Sequence, residues 1–532
     1  MADSREFDYI VVGGGSAGCV VAARLSESGR YSVCLVESGG PDNSPLIHAP
    51  FGIAAIVPTK HNNWAFQTTP QAGLNGRRGY QPRGRTLGGS SSINAMVYIR
   101  GHASDYDEWA AAGCDGWSWN DVLPVFKRCE DNERGADEWH GTGGPLHVSD
   151  QRSHSGANQA FLDAAAQAGV KHNADFNGAR QDGAGIYQVT IRNGRRWSAA
   201  RAYLEPARER PNLTILTGAH AARLEIRGKA CTGLEVAING SRETLRAQRE
   251  TIVCGGAFGS PQLLLLSGIG PESALQPHGI TPRHELPGVG GNLHDHIDYT
   301  LSYQSPMRDL VGLSPGGLWK VIGSIGEYRR SGTGLVTSNL AEAGAFIRTT
   351  PGLSRPDVQL HFVIAIVEDH GRKRQFRLGF SCHVCVLRPK SRGTVSLASA
   401  DPLAPPRIDP AFLADEDDLR VLERATRITS DILERTPLEH YRGRNRTGEA
   451  WKTEAELGEL IRGHADTVYH PVGTCRMGVD EMSVVDPQLR VRGIERLRVA
   501  DASIMPSVIG GNTNAPSIMI GERAAEFILQ SA

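Results

Sequence analysis

The sequence predicts an α/β fold: a Rossmann-like dinucleotide-binding unit, followed beyond about residue 299 by a part built on alternating strands. Three observations carry this expectation. The chain opens with Asp8-Tyr-Ile-Val-Val-Gly13-Gly-Gly15-Ser-Ala-Gly18, closed by Glu37. Its 532 residues exceed what one hydrophobic core supports, so about two to four structural units are expected. Period-two patterning then appears in 340–347, 358–365 and 379–387.

Tyr9 to Val12 read as a buried strand, the glycines as a tight turn, Ala17 to Leu25 as a helix and Tyr31 to Val36 as the next strand. Gly13 lets the chain turn, Gly15 lets backbone N–H groups approach a pyrophosphate, and Gly18 lets helix and strand pack closely. Glu37 follows Gly18 by nineteen residues, about where a carboxylate accepts ribose hydroxyls. NAD and FAD both remain open at this point. The irregular region from Pro41 to Gly84 has the length of a loop that wraps a ligand. Within it, Trp64 reads as a core residue, with the cofactor's edge as its alternative.

The run Arg83 to Gly101, with Gly88, Gly89, three serines and Asn94, offers many N–H and O–H donors. Further on, 196–208 reads as a helix and 213–216, 222–226 and 251–254 as strands. His294 and His296 flank Asp295, but the stretch supplies no further ligand, and no metal is expected. Cys382 and Cys385 form a CxxC without a second pair, on a predicted strand.

A net charge of -1 argues against a nucleic-acid partner, and the basic runs 372–377 and 442–446 read as solvated faces. No apolar run reaches about eighteen residues, so no transmembrane segment is expected. The N-terminus enters the first strand without a signal-peptide core. Nine scattered cysteines fit a reducing compartment, and the cytoplasm is the expected location.

The segment 83–101 resembles the first signature of the glucose-methanol-choline (GMC) family of flavoprotein oxidoreductases, and Gly255 to Pro271 resembles the second. His470-Pro-Val-Gly-Thr-Cys-Arg-Met, Asp501-Ala-Ser-Ile-Met-Pro and Gly511-Asn512-Thr-Asn514-Ala-Pro516 follow in the family's order, so the resemblance spans residue 8 to about 528. It implies FAD. Gly13, Gly15, Ser16, Ala17, Gly18, Glu37 and Ser38 would hold the ADP half; Leu87, Gly88, Ser90, Asn94, Ala95, Met96 and Val97 would follow the pyrophosphate and flavin. Ala221 would touch adenine, Asp501 and Ala502 the phosphates and ribityl chain, and Asn512 is counted with these cofactor residues. Ile93 stands where some members carry a histidine bonded to the flavin, so the FAD is expected to be non-covalent.

The resemblance also implies a discontinuous FAD-binding domain (1–155, 195–300 and 466–532) and a substrate-binding domain (156–194 and 301–465) with an antiparallel sheet. Alcohol oxidation by hydride transfer needs a base beside the hydroxyl, and histidine suits neutral pH. His470, followed by Pro471, matches the family's catalytic His-Pro, and Asn514 is expected as its hydrogen-bonding partner. Tyr469 would shape the substrate pocket. Glu342 matches a glutamate that binds the choline head in some members, with pairing to an arginine as the structural alternative. The reaction implied is oxidation of a primary aliphatic, aryl or furanic alcohol to the aldehyde, with onward oxidation of the aldehyde hydrate, and oxygen or a quinone as acceptor. Choline oxidation and a flavin-bearing hydroxynitrile lyase are the alternatives.

Overall fold

A computed structural model describes residues 5–153, 155–312, 315–447 and 451–532, with backbone only for 315–322. Its first sheet begins with β1 (Arg5–Val12) and β2 (Val33–Glu37) and continues through β3 (Leu213–Thr217), β4 (Ala219–Arg227), β5 (Ala230–Ile238) and β6 (Ser241–Val253). The order is β3-β2-β1-β6-β5-β4, with Leu497–Val499 also paired to β6. The pairs β3-β2, β2-β1 and β1-β6 are parallel, whereas β4, β5 and β6 form an antiparallel meander. A parallel sheet is covered on both faces, and this is why Tyr9–Val12 and Val33–Val36 are continuously apolar and buried. Helix α1 (Ser16–Ser26) packs against the C-terminal helix Asn514–Gln530. The approach is close, since a Cβ on Gly521 would sit 2.7 Å from the Ala17 carbonyl oxygen.

The second sheet is antiparallel throughout. It consists of β7 (Ile297–Gln304), β8 (Ala343–Ile347), β9 (Val358–Val363) and β10 (Gly379–Val386), in the order β7-β10-β9-β8. Asp466–Thr467 extends the β7 edge and Gly183–Ile186 the β8 edge. Alternation divides its faces. Tyr299, Leu301, Leu360, Phe362, Cys382 and Val384 join an apolar cluster with helices Gly156–Gln167 and Glu416–Leu433, where Phe161 stacks on Phe362 at 4.7 Å. The intervening residues, among them Asp298, Gln359, His361 and His383, occupy the opposite face. Strand pairing along their whole lengths puts residues 297–304 and 466–467 in this sheet. The expected boundaries at 300 and 466 therefore cut through or precede strands of the second sheet.

Two local expectations shift. Arg196 ends a short hairpin instead of opening a helix, and the helix there starts with a π turn over Ala200–Leu204 and continues to Ala207. The strand expected from Leu340 starts at Ala343, because Leu340 turns the chain with φ +67°. All nine cysteines are buried and free. Among the described residues, no helix is long and apolar enough to cross a membrane.

Candidate active site

A cavity of about 740 Å³ is lined from both sheets and runs from Glu37, Ser38 and Ala221 to His470 and Asn512. Its first end has the features of a dinucleotide cradle. Gly13 adopts φ +105°, and a Cβ there would lie 2.4 Å from the Cys254 carbonyl oxygen. A Cβ on Gly18 would lie 1.9 Å from the Gly13 carbonyl oxygen, so only glycine lets α1 start so close to β1. Gly15 caps α1 without any side-chain bond, which leaves the first N–H groups of the helix for an anion. Glu37, at the end of β2, accepts from the N–H groups of Gly14 (2.9 Å) and Gly39 (2.7 Å). Burial pushes its carboxyl up to about 7 against these bonds.

Ser16, Ala17, Ser90, Asn94, Ala95, Met96, Val97, Asp501 and Ala502 also line the cavity. Gly18, Leu87 and Gly88 do not; they form the wall behind it, with the Gly88 N–H on the Gly14 carbonyl (2.7 Å) and the Leu87 N–H on that of Gly40 (3.1 Å). Asn94 is fixed by a residue that sequence reading passed over. Arg196 is buried and donates to the Asn94 side-chain (2.8 Å) and main-chain (2.7 Å) oxygens. Asp501 accepts from the Gly256 N–H (2.8 Å) and the Ser260 hydroxyl (2.5 Å). Trp64 is not a core residue: it lines the cavity, stacked on Phe66 at 5.4 Å with the Arg85 guanidinium 4.5 Å from its ring centroid.

At the other end His470 is buried. Its backbone N–H donates to Asp295 Oδ1 (2.7 Å), and Asp295 Oδ2 in turn accepts from the Thr467 hydroxyl (2.5 Å). Its Nδ1 meets His296 Nδ1 at 3.0 Å and its Nε2 meets the side-chain nitrogen of Asn512 at 3.2 Å. Burial, then neighbouring histidines and Arg83, hold the His470 pKa well below the usual range, so the ring is neutral at pH 7. The Asn292–His296 stretch thus supports His470 from behind. His294 is also engaged there, since its Nε2 accepts from the Val508 N–H (2.8 Å).

The expected partner of His470 needs correction. Asn514 is the first residue of the C-terminal helix, and its oxygen accepts from the Ser16 hydroxyl (2.8 Å) at the start of α1. The amide on His470 belongs to Asn512, in the turn before that helix. Gly510 and Gly511 precede it, and a Cβ on Gly511 would lie 2.4 Å from Ile99 Cγ2. Gly511 lets the chain pass close by Ile99 just before Asn512.

Tyr469 lines the cavity as expected, with φ +77°. Its hydroxyl bonds His370 Nδ1 (2.6 Å), and His370 Nε2 bonds Asp466 (3.0 Å). Glu342 is also corrected. It is buried outside the cavity lining, and its carboxylate accepts from Ser153, Ser338 (2.5 Å) and Asn158 (2.5 Å). These hydrogen bonds hold the carboxylate away from the cavity lining.

Comparison with known proteins agrees with this arrangement. Two family profiles described as GMC oxidoreductase match residues 7–298 and 389–521. An alcohol dehydrogenase [acceptor] from Pseudomonas putida is 45% identical over 528 residues, covering 98% of this chain and 96% of that protein. An oxygen-dependent choline dehydrogenase from Rhizobium johnstonii is 44% identical over 526 residues, covering 98% and 95%. Among solved structures, pyridoxine 4-oxidase from Mesorbium loti superposes with a TM-score of 0.88 at 33% identity, covering 98% of both chains. With matches of this extent over both sheets and the His470 end of the cavity, the chain belongs to the GMC oxidoreductase family.

Proposed function

We propose that the protein oxidises a primary alcohol to the aldehyde, with His470 as the base that takes the hydroxyl proton. The observation that carries this is a buried imidazole at the cavity wall with an amide nitrogen on its Nε2, in surroundings that hold its pKa low. GMC oxidoreductases are flavoproteins, and the Gly13–Gly18 turn, the uncapped start of α1 and Glu37 fit the ADP half of FAD. Bound FAD supplies the hydride acceptor. Proton removal by His470 leaves alkoxide character on the substrate oxygen, and the second N–H of Asn512 supports that charge. Tyr469 shapes the wall beside the base. The hydrate of the aldehyde presents another C–H beside an O–H, so the same groups serve onward oxidation to the acid.

The second-sheet side of the cavity mixes apolar residues (Val311, Leu340, Val363, Ala365, Ile366 and Val367) with His361, His370, His383, Lys373 and Arg374. Among the described lining residues the carboxylates are Glu37 and Asp501, both in the cofactor part, and Glu342 is turned away. His383 is biased the other way. Burial works against its charge, but Asp298 at 2.6 Å raises its pKa. A quaternary ammonium therefore gains no carboxylate partner here, and the preferred substrate is an uncharged aliphatic, aryl or furanic alcohol. Ile93 lines the cavity and carries no nucleophile, so FAD is held without a covalent bond.

Anaerobic mixing of the flavin-loaded protein with hexanol, benzyl alcohol, a furanic alcohol and choline tests the reading. The uncharged alcohols should bleach the flavin, with choline slower by about 10-fold or more, the scale of one unpaired charge. Persistent yellow colour with every alcohol contradicts it, and equal bleaching by choline refutes the selectivity. Return of colour on admitting air identifies oxygen as acceptor, and its return only with a quinone identifies a dehydrogenase. Acid precipitation should leave the flavin in the supernatant.

A further inference from the structure

We infer that His470 is locked as its Nδ1–H tautomer, with a bare Nε2, by a buried hydrogen-bond chain ending on two backbone carbonyls, which makes His296 and Gln359 positioning residues. This rests on the proposed role of His470 as base. The chain runs Leu360 C=O, Tyr187, Gln359, Asn512, His470, His296, Leu387 C=O.

The direction of every bond follows from the two ends. The Tyr187 hydroxyl gives its one hydrogen to the Leu360 carbonyl (2.7 Å), so its oxygen is left to accept from the Gln359 side-chain nitrogen (3.3 Å). That nitrogen also donates to Asn512 Oδ1 (3.1 Å). Asn512 must then present its NH₂ to His470 Nε2, at 3.2 Å, and an amide NH₂ only donates. His470 Nε2 is therefore the lone-pair nitrogen.

The opposite end agrees with this. The Leu387 carbonyl only accepts, so His296 Nε2, at 3.1 Å, carries hydrogen. His296 is fully buried with Arg388 near it, which disfavours a second proton against the carbonyls of Leu387 and Ile509 and leaves Nδ1 bare. Two bare nitrogens do not bond at 3.0 Å, hence His470 Nδ1 carries the hydrogen between the rings. Tyr187, Gln359, His296 and His470 are buried, and Asn512, half-buried, joins them at the cavity wall.

The consequence is chemical. A base needs an unprotonated Nε2, and the substrate hydroxyl has to take the place of the Asn512 N–H on its single lone pair; the other tautomer would present an N–H there and accept nothing. Once His470 takes the proton, its Nδ1–H still has His296 as acceptor. The second sheet thus sets the protonation state of the base through β9 and the residue after β10, neither of which is adjacent to His470 in sequence.

The test uses full-length, flavin-loaded protein with ¹⁵N-labelled histidine, the His470 signals being assigned by their loss in His470→Gln. The wild type should show a protonated Nδ1 and an unprotonated Nε2. His296→Gln can still accept from His470 and donate to Leu387, so it should keep this pattern and most of the anaerobic flavin-reduction rate. His296→Leu should show mixed tautomers and lose about 10²-fold in rate, less than the roughly 10⁴-fold of a base held in the wrong tautomer. A protonated Nε2 in the wild type, or an unchanged tautomer and rate in His296→Leu, would overturn the inference. If His296→Leu fails to fold, the wild-type spectrum and the comparison of His296→Gln with Gln359→Leu decide it. Should His470→Gln reduce flavin at the wild-type rate, the base role fails while the tautomer result stands.

Discussion

At position 512 an amide faces the imidazole of His470, and an amide donates hydrogen bonds without taking a proton. The pair therefore has one base and one donor. Asn514, two residues on, ties the start of the C-terminal helix to Ser16. Asn512→Ala should lower the rate of anaerobic flavin reduction by about 10²-fold, the scale of losing one donor to a developing oxyanion. Asn514→Ala should stay near the wild-type rate and weaken stability by about 1 kcal/mol, the usual net worth of a hydrogen bond. Stopped-flow reduction and thermal denaturation separate the two, and the reverse pattern would return Asn514 to the role expected from sequence. That expectation failed for a physical reason: both asparagines suit the chemistry, and only the point where the helix begins decides which one reaches His470. Glu342 failed likewise, since Ser153, Asn158 and Ser338 come from segments whose convergence no local pattern announces.

Among the elements, α1 and its turn were legible because their requirements are local. Gly13, Gly15 and Gly18 are spaced for a turn, an open helix start and a close helix–strand contact, and the structure has all three. Gly18→Ala puts a Cβ 1.9 Å from a backbone oxygen that has no room to move. It should destabilise the fold by about 1–3 kcal/mol, as overpacking does, and lower the flavin retained through purification. Full retention of flavin at wild-type stability would contradict this account of the turn. The face of β9 that carries Gln359 and His361 was also legible from alternation. What alternation does not give is register. The pairing of His361 with His383, and the reach of Gln359 to Asn512, depend on how distant strands align. For the same reason the stretch around His294 and His296 showed only that no metal is expected, whereas in the fold His296 and Asp295 both bond His470.

The molecule as a whole divides its labour between two sheets that share one cavity. The first, opened by β1 and α1, supplies the dinucleotide cradle, and the family match fixes the order of its motifs along the chain. The second closes the opposite side and anchors the hydrogen bonds that reach His470. Sequence motifs located the cradle and the histidine because both are contiguous; the link between them is made only by the fold. The central claim is that this histidine removes the alcohol's proton, and the most direct test is the rate at which benzyl alcohol bleaches the flavin, without oxygen, in wild type and His470→Ala. His470→Ala should keep its yellow, bound flavin and lose about 10²-fold or more in rate, the range of a general base; bleaching at the wild-type rate would contradict the account.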